Sequence, residues 1–383
     1  MIKGNIRFLT ITVLFWFSQY VFNPFFSPYL ENLEIASTIA GVILGAYALS
    51  QLILRVPFGI AADRLRNHKI FMVGGLGCLG AAGVLLYFAQ SPVAFCAGRF
   101  LGGVSASTWV SFTVFFTNRF PKEEMGKAVA IVMLANNLGT LLSYVAGTIY
   151  IGSVGIRGLF LFSAAAAFLG AILMIGIPEK YQSKDEPMSV RDVITTIKNK
   201  NLLAVSLLAA LAQLVLFASA INFIANYARD IGASEQELGI MSICLNGTAV
   251  IISFWMSSAM SQRISDRMKM SASFVFISIA CFFVPHCSGI VGIYGVQISN
   301  GIGRAIVLPL TMSLALREIP PQYKSTAMGA YQCIYSLGMM FGPMLMGFAL
   351  KQAGEYRRPY YLLGLLSVLG IFLSFIYSRT KKA

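Results

Sequence analysis

The sequence predicts an all-α polytopic membrane protein of 12 transmembrane helices in two pseudo-symmetric six-helix bundles, and three observations carry that expectation. The 383 residues are 57% hydrophobic and only 11% charged, with a mean hydropathy of +0.73, whereas soluble domains carry about 45–50% apolar and about 25% charged residues. Apolar runs of the ~20 residues needed to cross a ~30 Å hydrocarbon core follow one another almost end to end. One long hydrophilic connection, PEKYQSKDEPMSVRDVITTIKNKN from Pro178 to Asn201, divides the runs six and six. A β-barrel would instead show short alternating segments.

In order, the runs cover residues 7–30, 37–62, 69–90, 93–118, 125–150, 157–177, 201–228, 237–261, 270–287, 289–316, 325–350 and 359–378. The first follows Lys3 and Arg7. It is too long for the apolar core of a secretory signal and has no small-residue cleavage site, so it reads as a retained span. The ninth and tenth are parted only by the uncharged turn Pro285 to Gly289. In the central connection Ser189 with Asp192 forms a capping box, and Val190, Val193, Ile194 and Ile197 recur at helical spacing. A short amphipathic helix on the cytoplasmic face follows; a disordered linker is the alternative. The expected organisation is residues 1–177 as one bundle, 178–200 as linker and 201–383 as the second bundle.

The net charge is +14, yet the basic residues are spread over short loops and form no aromatic-interleaved patch of the kind nucleic acid needs. Their placement is informative. With both termini on one side, that side's loops hold 21 of the 29 Lys and Arg, while the opposite loops hold Arg157, Arg229, Lys351, Arg357 and Arg358. The positive-inside rule then puts both termini in the cytoplasm; the expected location is the plasma (inner) membrane. Cys78, Cys96, Cys244, Cys281, Cys287 and Cys333 lie in or at the ends of apolar runs without CxxC spacing, and read as small buried hydrophobes. His68 and His286 are isolated, no metal-ligand spacing exists, and no Gly-x-x-x-x-Gly-Lys-Ser/Thr loop is present. These absences argue against an enzyme, a metal, a cofactor or nucleotide-driven transport.

The halves echo one another. Sliding by 203 residues lays ISDR (Ile264 to Arg267) on AADR (Ala61 to Arg64); sliding by 199 lays Pro320 on Pro121, Ala327 on Ala128 and Gly338 on Gly139. Parallel repeats around a central site produce such similarity. The loop between the second and third spans, GIAADRLRNHK, resembles the Gly-x-x-x-Asp-Arg signature of the major facilitator superfamily at Gly59, Asp63 and Arg64. Where the family pattern has a later Gly, this chain has Arg66. RFLGG (Arg99 to Gly103) resembles the Arg-x-x-x-Gly of the family's helix 4, and GMMFGPMLMG (Gly338 to Gly347) its helix 11 element. In helix 5, GTLLSYVAG (Gly139 to Gly147) lacks the proline of the drug/proton antiporter signature. The resemblance implies alternating access around a midplane cavity, with a cytoplasmic gate at Gly59, Asp63, Arg64 and Arg55 and at the second-half equivalents Asp266 and Arg267.

Ionisable groups inside a span are costly and face a cavity or a partner. No carboxylate falls mid-membrane, whereas Arg304, Arg99 and Arg55 lie within spans. A guanidinium suits carboxylate or phosphate, so Arg304 near the midplane is the expected anion contact, with capping of backbone carbonyls as its structural alternative. The other expected substrate contacts are Arg99, Gln19, Tyr20, Asn23, Trp109 and Asn136 in the first half, and Asn222, Asn226, Asn300, Gln332 and Tyr335 in the second. Each alone can serve as interhelical glue. The expected function is secondary transport of a small organic solute, anionic or zwitterionic, with proton-coupled efflux of amphipathic compounds as the alternative. The partners are that solute, the lipid bilayer and, where transport is coupled, a proton or counter-ion; the expected state is a monomer.

Overall fold

The computed structural model describes residues 5–120, 125–179, 198–256, 263–317, 319 and 324–379. The expected amphipathic helix over 189–197 lies outside them, as does the side chain of Asp63. No strand occurs among the described residues, as expected where hydrocarbon offers no partner for backbone N–H and C=O groups.

The first apolar run forms α1 (Ile6–Tyr20) and α2 (Asn23–Asn32), interrupted at Val21 and Phe22. Then come α3 (Ser37–Leu65), α4 (His68–Phe88), α5 (Pro92–Ser107), α6 (Trp109–Thr117) and α7 (Met125–Ile175). Gly155 breaks α7 at φ 63°, ψ 177°, where the gap between the fifth and sixth runs was expected. Helix α8 (Lys200–Leu216) passes through a π-helical stretch, Phe217–Phe223, into α9 (Ile224–Asp230). The chain continues through α10 (Glu235–Met256), α11 (Asp266–Phe283), α12 (Ile290–Leu316), α13 (Lys324–Ala353) and α14 (Arg357–Arg379). Ten of the described helices are long and apolar enough to cross a membrane. That number takes 131–175 as one piece and leaves out the split first run.

The polar residues between apolar runs are the helix starts. Asn67, Ser91, Asn199 and Ser265 each accept, through the side chain, the N–H three residues on. Ser234 and Glu237 cap α10 reciprocally, the Ser234 N–H donating to Glu237 Oε2 at 2.8 Å and the Glu237 N–H to Ser234 Oγ at 3.4 Å. Each of these satisfies donors that the first turn would leave open. Helix ends are equally specific: Glu34, Arg66 and Gly232 adopt φ of 57°, 49° and 95°. Beyond them the N–H groups of Ile35, Asn67 and Ala233 close onto Leu30, Ala62 and Ala228 carbonyls at 3.2, 3.1 and 3.0 Å, the hydrogen bond of a Schellman stop. Arg66 therefore keeps the left-handed turn that the family pattern gives to glycine.

The chain forms two compact units, Met1–Asn23 with Ala46–Ser189, and Pro24–Gly45 with Val190–Ala383. In the first, Phe8, Phe15, Leu76, Phe112 and Val132 are fully buried in one cluster, with Phe8 stacked on Phe115 and Phe116 at 5.3 and 5.2 Å. In the second, Leu202, Val205, Phe274, Val307 and Ala315 form the equivalent core. Lipid chains are as apolar as these side chains, so close packing of small residues must hold such helices together. A Cβ on Gly139 would lie 2.6 Å from the Val13 carbonyl oxygen, and one on Gly338 would run into the Ala210 carbonyl. The internal repeat thus has a physical content: the fifth span packs on the first as the eleventh packs on the seventh. Beyond its own helix, no described atom lies within 4 Å of the place a Cβ on Gly59 would take.

Candidate functional site

In the first unit, polar and aromatic groups gather where the first span breaks. Gln19, the penultimate residue of α1, donates to the Gly102 carbonyl at 3.1 Å, and Asn23, just past the break, accepts from Arg99 Nη1 at 3.5 Å. The Arg99 guanidinium lies over the Tyr47 ring, 4.9 Å from its centroid. Arg99 can approach this closely because a Cβ on Gly103 would strike the Tyr47 carbonyl and Ser50 Oγ, so α5 and α3 meet backbone to backbone. Tyr47 also hydrogen-bonds Tyr20. Tyr20 stacks on Trp16 at 5.7 Å and 13°, Trp16 meets Trp109 edge-on at 5.0 Å, and Tyr20 meets Tyr144 at 6.1 Å. Trp16 and Tyr20 are half-buried, whereas Trp109 and Tyr144 are buried. The fourth span breaks at Thr108, between α5 and α6, beside this cluster. At both points the turn is altered without opening the helix: the Val21 N–H reaches the Phe17 carbonyl at 3.1 Å and the Thr108 N–H the Ser105 carbonyl at 2.9 Å.

The second unit repeats the interruption in another form. The π stretch 217–223 lies in the seventh span, and Gln297 Nε2 donates to its Ala220 carbonyl at 2.9 Å. Asn222 turns back onto the Phe217 carbonyl at 2.6 Å, and Asn300 donates to Gln297 Oε1 at 3.3 Å. Such π turns recur at functional sites because the extra residue re-aims carbonyls and side chains. Arg304 is half-buried, and its one hydrogen bond among the described residues runs from Nη1 to Asn246 Oδ1 at 2.9 Å. Asn300 Oδ1 and Gln332 Oε1 are buried without a hydrogen-bond partner among those residues. Tyr335 stands edge-on to Tyr331, 5.3 Å away.

The expected residues therefore fall into sets. Gln19, Tyr20, Asn23, Arg99 and Trp109 come together in the first unit; in the second, Asn222 and, through Gln297, Asn300 lie at the interrupted helix, while Arg304 turns to Asn246. Asn136 interacts within its own helix, accepting from Thr140 at 3.5 Å, and Asn226 turns to Glu31 and the Ser27 carbonyl. Sequence reasoning did not single out Tyr47 or Asn246 as partners of Arg99 and Arg304. A signal existed: both stand on the second span of their half, 199 residues apart, the offset that also lays the eleventh span on the fifth.

At the loop ends, Arg55 is buried and donates to Gln51 Oε1 at 2.6 Å, back along its helix from Asp63. Arg64 is exposed. Asp266 pairs with Arg317 at 2.6 Å, and Arg267 lies over the Phe375 ring at 4.1 Å. Glu179, which the sequence reading left in the linker, accepts the His68 and Lys69 N–H groups at 2.7 and 3.2 Å. It thereby places a carboxylate on the positive end of α4. Beside it, burial lowers the Arg119 pKa, with Glu179 opposing the shift, and Arg119 donates to the Pro178 carbonyl and Asn5 Oδ1, both at 3.2 Å.

The chain matches the family model described as Major Facilitator Superfamily over residues 8–226 and 205–383. It is 25% identical to the multi-drug resistance efflux pump PmrA of Streptococcus pneumoniae, covering 99% of this chain and 97% of that protein. It is 23% identical to the multidrug resistance protein MdtG of Proteus mirabilis, covering 94% and 92%. Among solved structures it superposes on a bacterial homologue of the human lysosomal transporter Spinster with a TM-score of 0.80, at 16% identity and with 98% and 96% of the two chains covered. With its all-helical, membrane-scale elements, the chain belongs to the Major Facilitator Superfamily: it is a multi-pass membrane transporter of small molecules and not an enzyme.

Proposed function

We propose that this transporter exports amphipathic organic compounds, and the observation that carries the reading is the aromatic set Trp16, Tyr20, Trp109 and Tyr144 beside Tyr47 and Arg99. The half-buried faces of Trp16 and Tyr20, backed by the buried Trp109 and Tyr144, offer apolar area and a quadrupole that attracts cations. Such a surface accepts many shapes. Relatives that span the whole chain and are called multidrug efflux proteins support the same direction. Transport runs by alternating access of halves 1–177 and 201–383 joined by 178–200, with Asp63, Arg64 and Arg55 and their counterparts Asp266 and Arg267 at the cytoplasmic gate. The distribution of Lys and Arg supports cytoplasmic termini in the plasma membrane. A monomer coupled to protons completes the reading.

The test is ligand-dependent thermal stabilisation of the purified protein across cationic amphiphiles, zwitterions and organic anions, since a ligand of the folded state raises its stability by mass action. Saturable stabilisation by ethidium or rhodamine 6G is expected, weakened about tenfold in affinity by Trp16→Ala, which removes stacking worth ~1 kcal/mol or more. Stabilisation by small carboxylates alone would overturn it. That second outcome has its own structural support in Arg304, whose fork is bound on one side by Asn246 and suits an anion. Arg304→Gln would then abolish anion-dependent stabilisation while leaving the unliganded melting temperature close to wild type.

A further inference from the structure

Gln297, Asn300 and Arg304 stand at i, i+3 and i+7 on α12 and form one polar face about 10 Å long in a mainly apolar span. The first of them is fully engaged. Gln297 Nε2 donates to the Ala220 carbonyl at 2.9 Å, and Gln297 Oε1 accepts from Asn300 Nδ2 at 3.3 Å. The other two are each half used. Asn300 is only 1% exposed, yet its Oδ1 has no hydrogen-bond partner among the described residues. Arg304 gives Nη1 to Asn246 Oδ1 at 2.9 Å, its one hydrogen bond among those residues, which leaves Nη2 and Nε open. Packing aims this fork: a Cβ on Gly301 would lie 2.5 Å from the Leu245 carbonyl oxygen, so α12 lies directly against α10 at this level. Asn246 is fixed in turn by its Nδ2 bond to the Ser242 carbonyl at 3.0 Å.

An open acceptor and open cationic donors thus sit one helical turn apart, where Cβ atoms are about 5–6 Å from one another. Helical side chains lean toward the N-terminus, a direction that carries the Arg304 stem back over the turn of Asn300. The charge has no local counter-charge. The carboxylates on the described helices of this unit, Glu31, Asp230, Glu235, Glu237 and Asp266, all lie in a first or last turn, whereas Arg304 is in the middle of its helix. These two groups set the chemistry of a ligand. The guanidinium calls for a carboxylate. The amide oxygen calls for a hydrogen-bond donor, and for a neutral one, because an ammonium there would bring a second positive charge to a place where no carboxylate offsets the first. A hydroxyl meets both conditions.

We infer that this face of the second unit is a binding site for small hydroxycarboxylates, whose carboxylate pairs with the open side of Arg304 and whose hydroxyl donates to Asn300 Oδ1. The inference rests on Arg304 as an anion contact and adds the group that selects among anions; it makes no use of the aromatic set in the first unit. Selection follows from what an ill-matched ligand leaves behind. An acid without the hydroxyl leaves the Asn300 oxygen buried and unmet, and a site built to receive a hydrogen bond rejects analogues that cannot give one. Gln297 is the positioning residue: by holding Asn300 Nδ2 it keeps the oxygen, rather than the NH2 group, free for the ligand.

Lactate, alanine and propionate carry a hydroxyl, an ammonium and a hydrogen on the same carbon skeleton and so test the donor alone. Each is titrated against the full chain in lipid nanodiscs at fixed ionic strength, with ethidium in parallel, and affinity is read from saturable thermal stabilisation. Wild type should bind lactate about tenfold more tightly than propionate or alanine. Asn300→Leu should erase the preference for lactate over propionate and leave propionate affinity unchanged, and Arg304→Gln should lose saturable binding of both acids. The wild-type comparison needs no variant, so a folding defect does not shield the inference. Ethidium binding without lactate binding would overturn this site alone, and lactate binding without ethidium binding would support it while overturning the export reading. Equal wild-type affinities for lactate and propionate, a preference for alanine, or a lactate preference that survives Asn300→Leu would also overturn the site.

Discussion

Arg66 shows how one residue can break a local rule and keep the fold. Its φ of 49° costs an L-residue ~1–2 kcal/mol that glycine does not pay, yet the Schellman hydrogen bond from Asn67 to Ala62 still closes at 3.1 Å. Asn67 then serves twice, since its side chain also caps α4. Arg66→Gly should therefore stabilise the protein, by about 0.5–1 kcal/mol once the greater freedom of glycine in the unfolded chain is subtracted; a raised melting temperature checks it. Asn67→Ala should cost ~1 kcal/mol through the lost cap. If Arg66→Gly instead lowers the melting temperature, the guanidinium contributes more than the turn conformation costs.

Between elements, the decisive contacts are those in which backbone meets backbone or a charge meets a helix end. Gly103→Ala would push α5 off Tyr47 and Ser50 and should cost ~1–3 kcal/mol as overpacking does, while loosening Arg99 from the Tyr47 ring. Glu179→Gln removes the charge at the start of α4 and keeps one acceptor oxygen where Oε1 and Oε2 now take the His68 and Lys69 N–H groups. The expected loss is ~0.3–1 kcal/mol and smaller in high salt, the mark of a helix-dipole contact. Equal losses at low and high salt would mean that only hydrogen bonding matters there. The interrupted spans belong to this scale too. Breaks at residues 21–22, at Thr108 and across 217–223 occur in the first and fourth spans of one half and the first span of the other. In the last of them Asn222 satisfies the Phe217 carbonyl that the altered turn leaves open.

For the whole molecule, the placement of Lys and Arg predicts the orientation. With the termini inside, Lys351 faces out and Lys198 faces in; both are exposed. A membrane-impermeant amine reagent applied to intact cells should modify Lys351 and spare Lys198 until the membrane is opened. Modification of Lys198 in intact cells would reverse the assignment. The unit that contains Lys351 also holds segment 24–45, so a covalent boundary at the central linker does not coincide with the packing boundary.

Composition, the length of the apolar runs, the placement of lysine and arginine and the offset of 199 residues were enough for the all-helical membrane class, the paired halves and the family resemblance, because each depends on transfer of whole segments into lipid and is a property of local sequence. Arg99, Arg304 and the amides could likewise be picked out, since a polar group inside an apolar run stands out by its cost. Their partners could not. That Tyr47 covers Arg99, that Asn246 holds Arg304, that Asn226 turns to Glu31 and that Glu179 reaches α4 depend on helix rotation and crossing, which are set by the fit of small residues such as Gly103, Gly139 and Gly338 against neighbouring carbonyls. Those contacts join residues far apart in the chain, and only tertiary packing decides them.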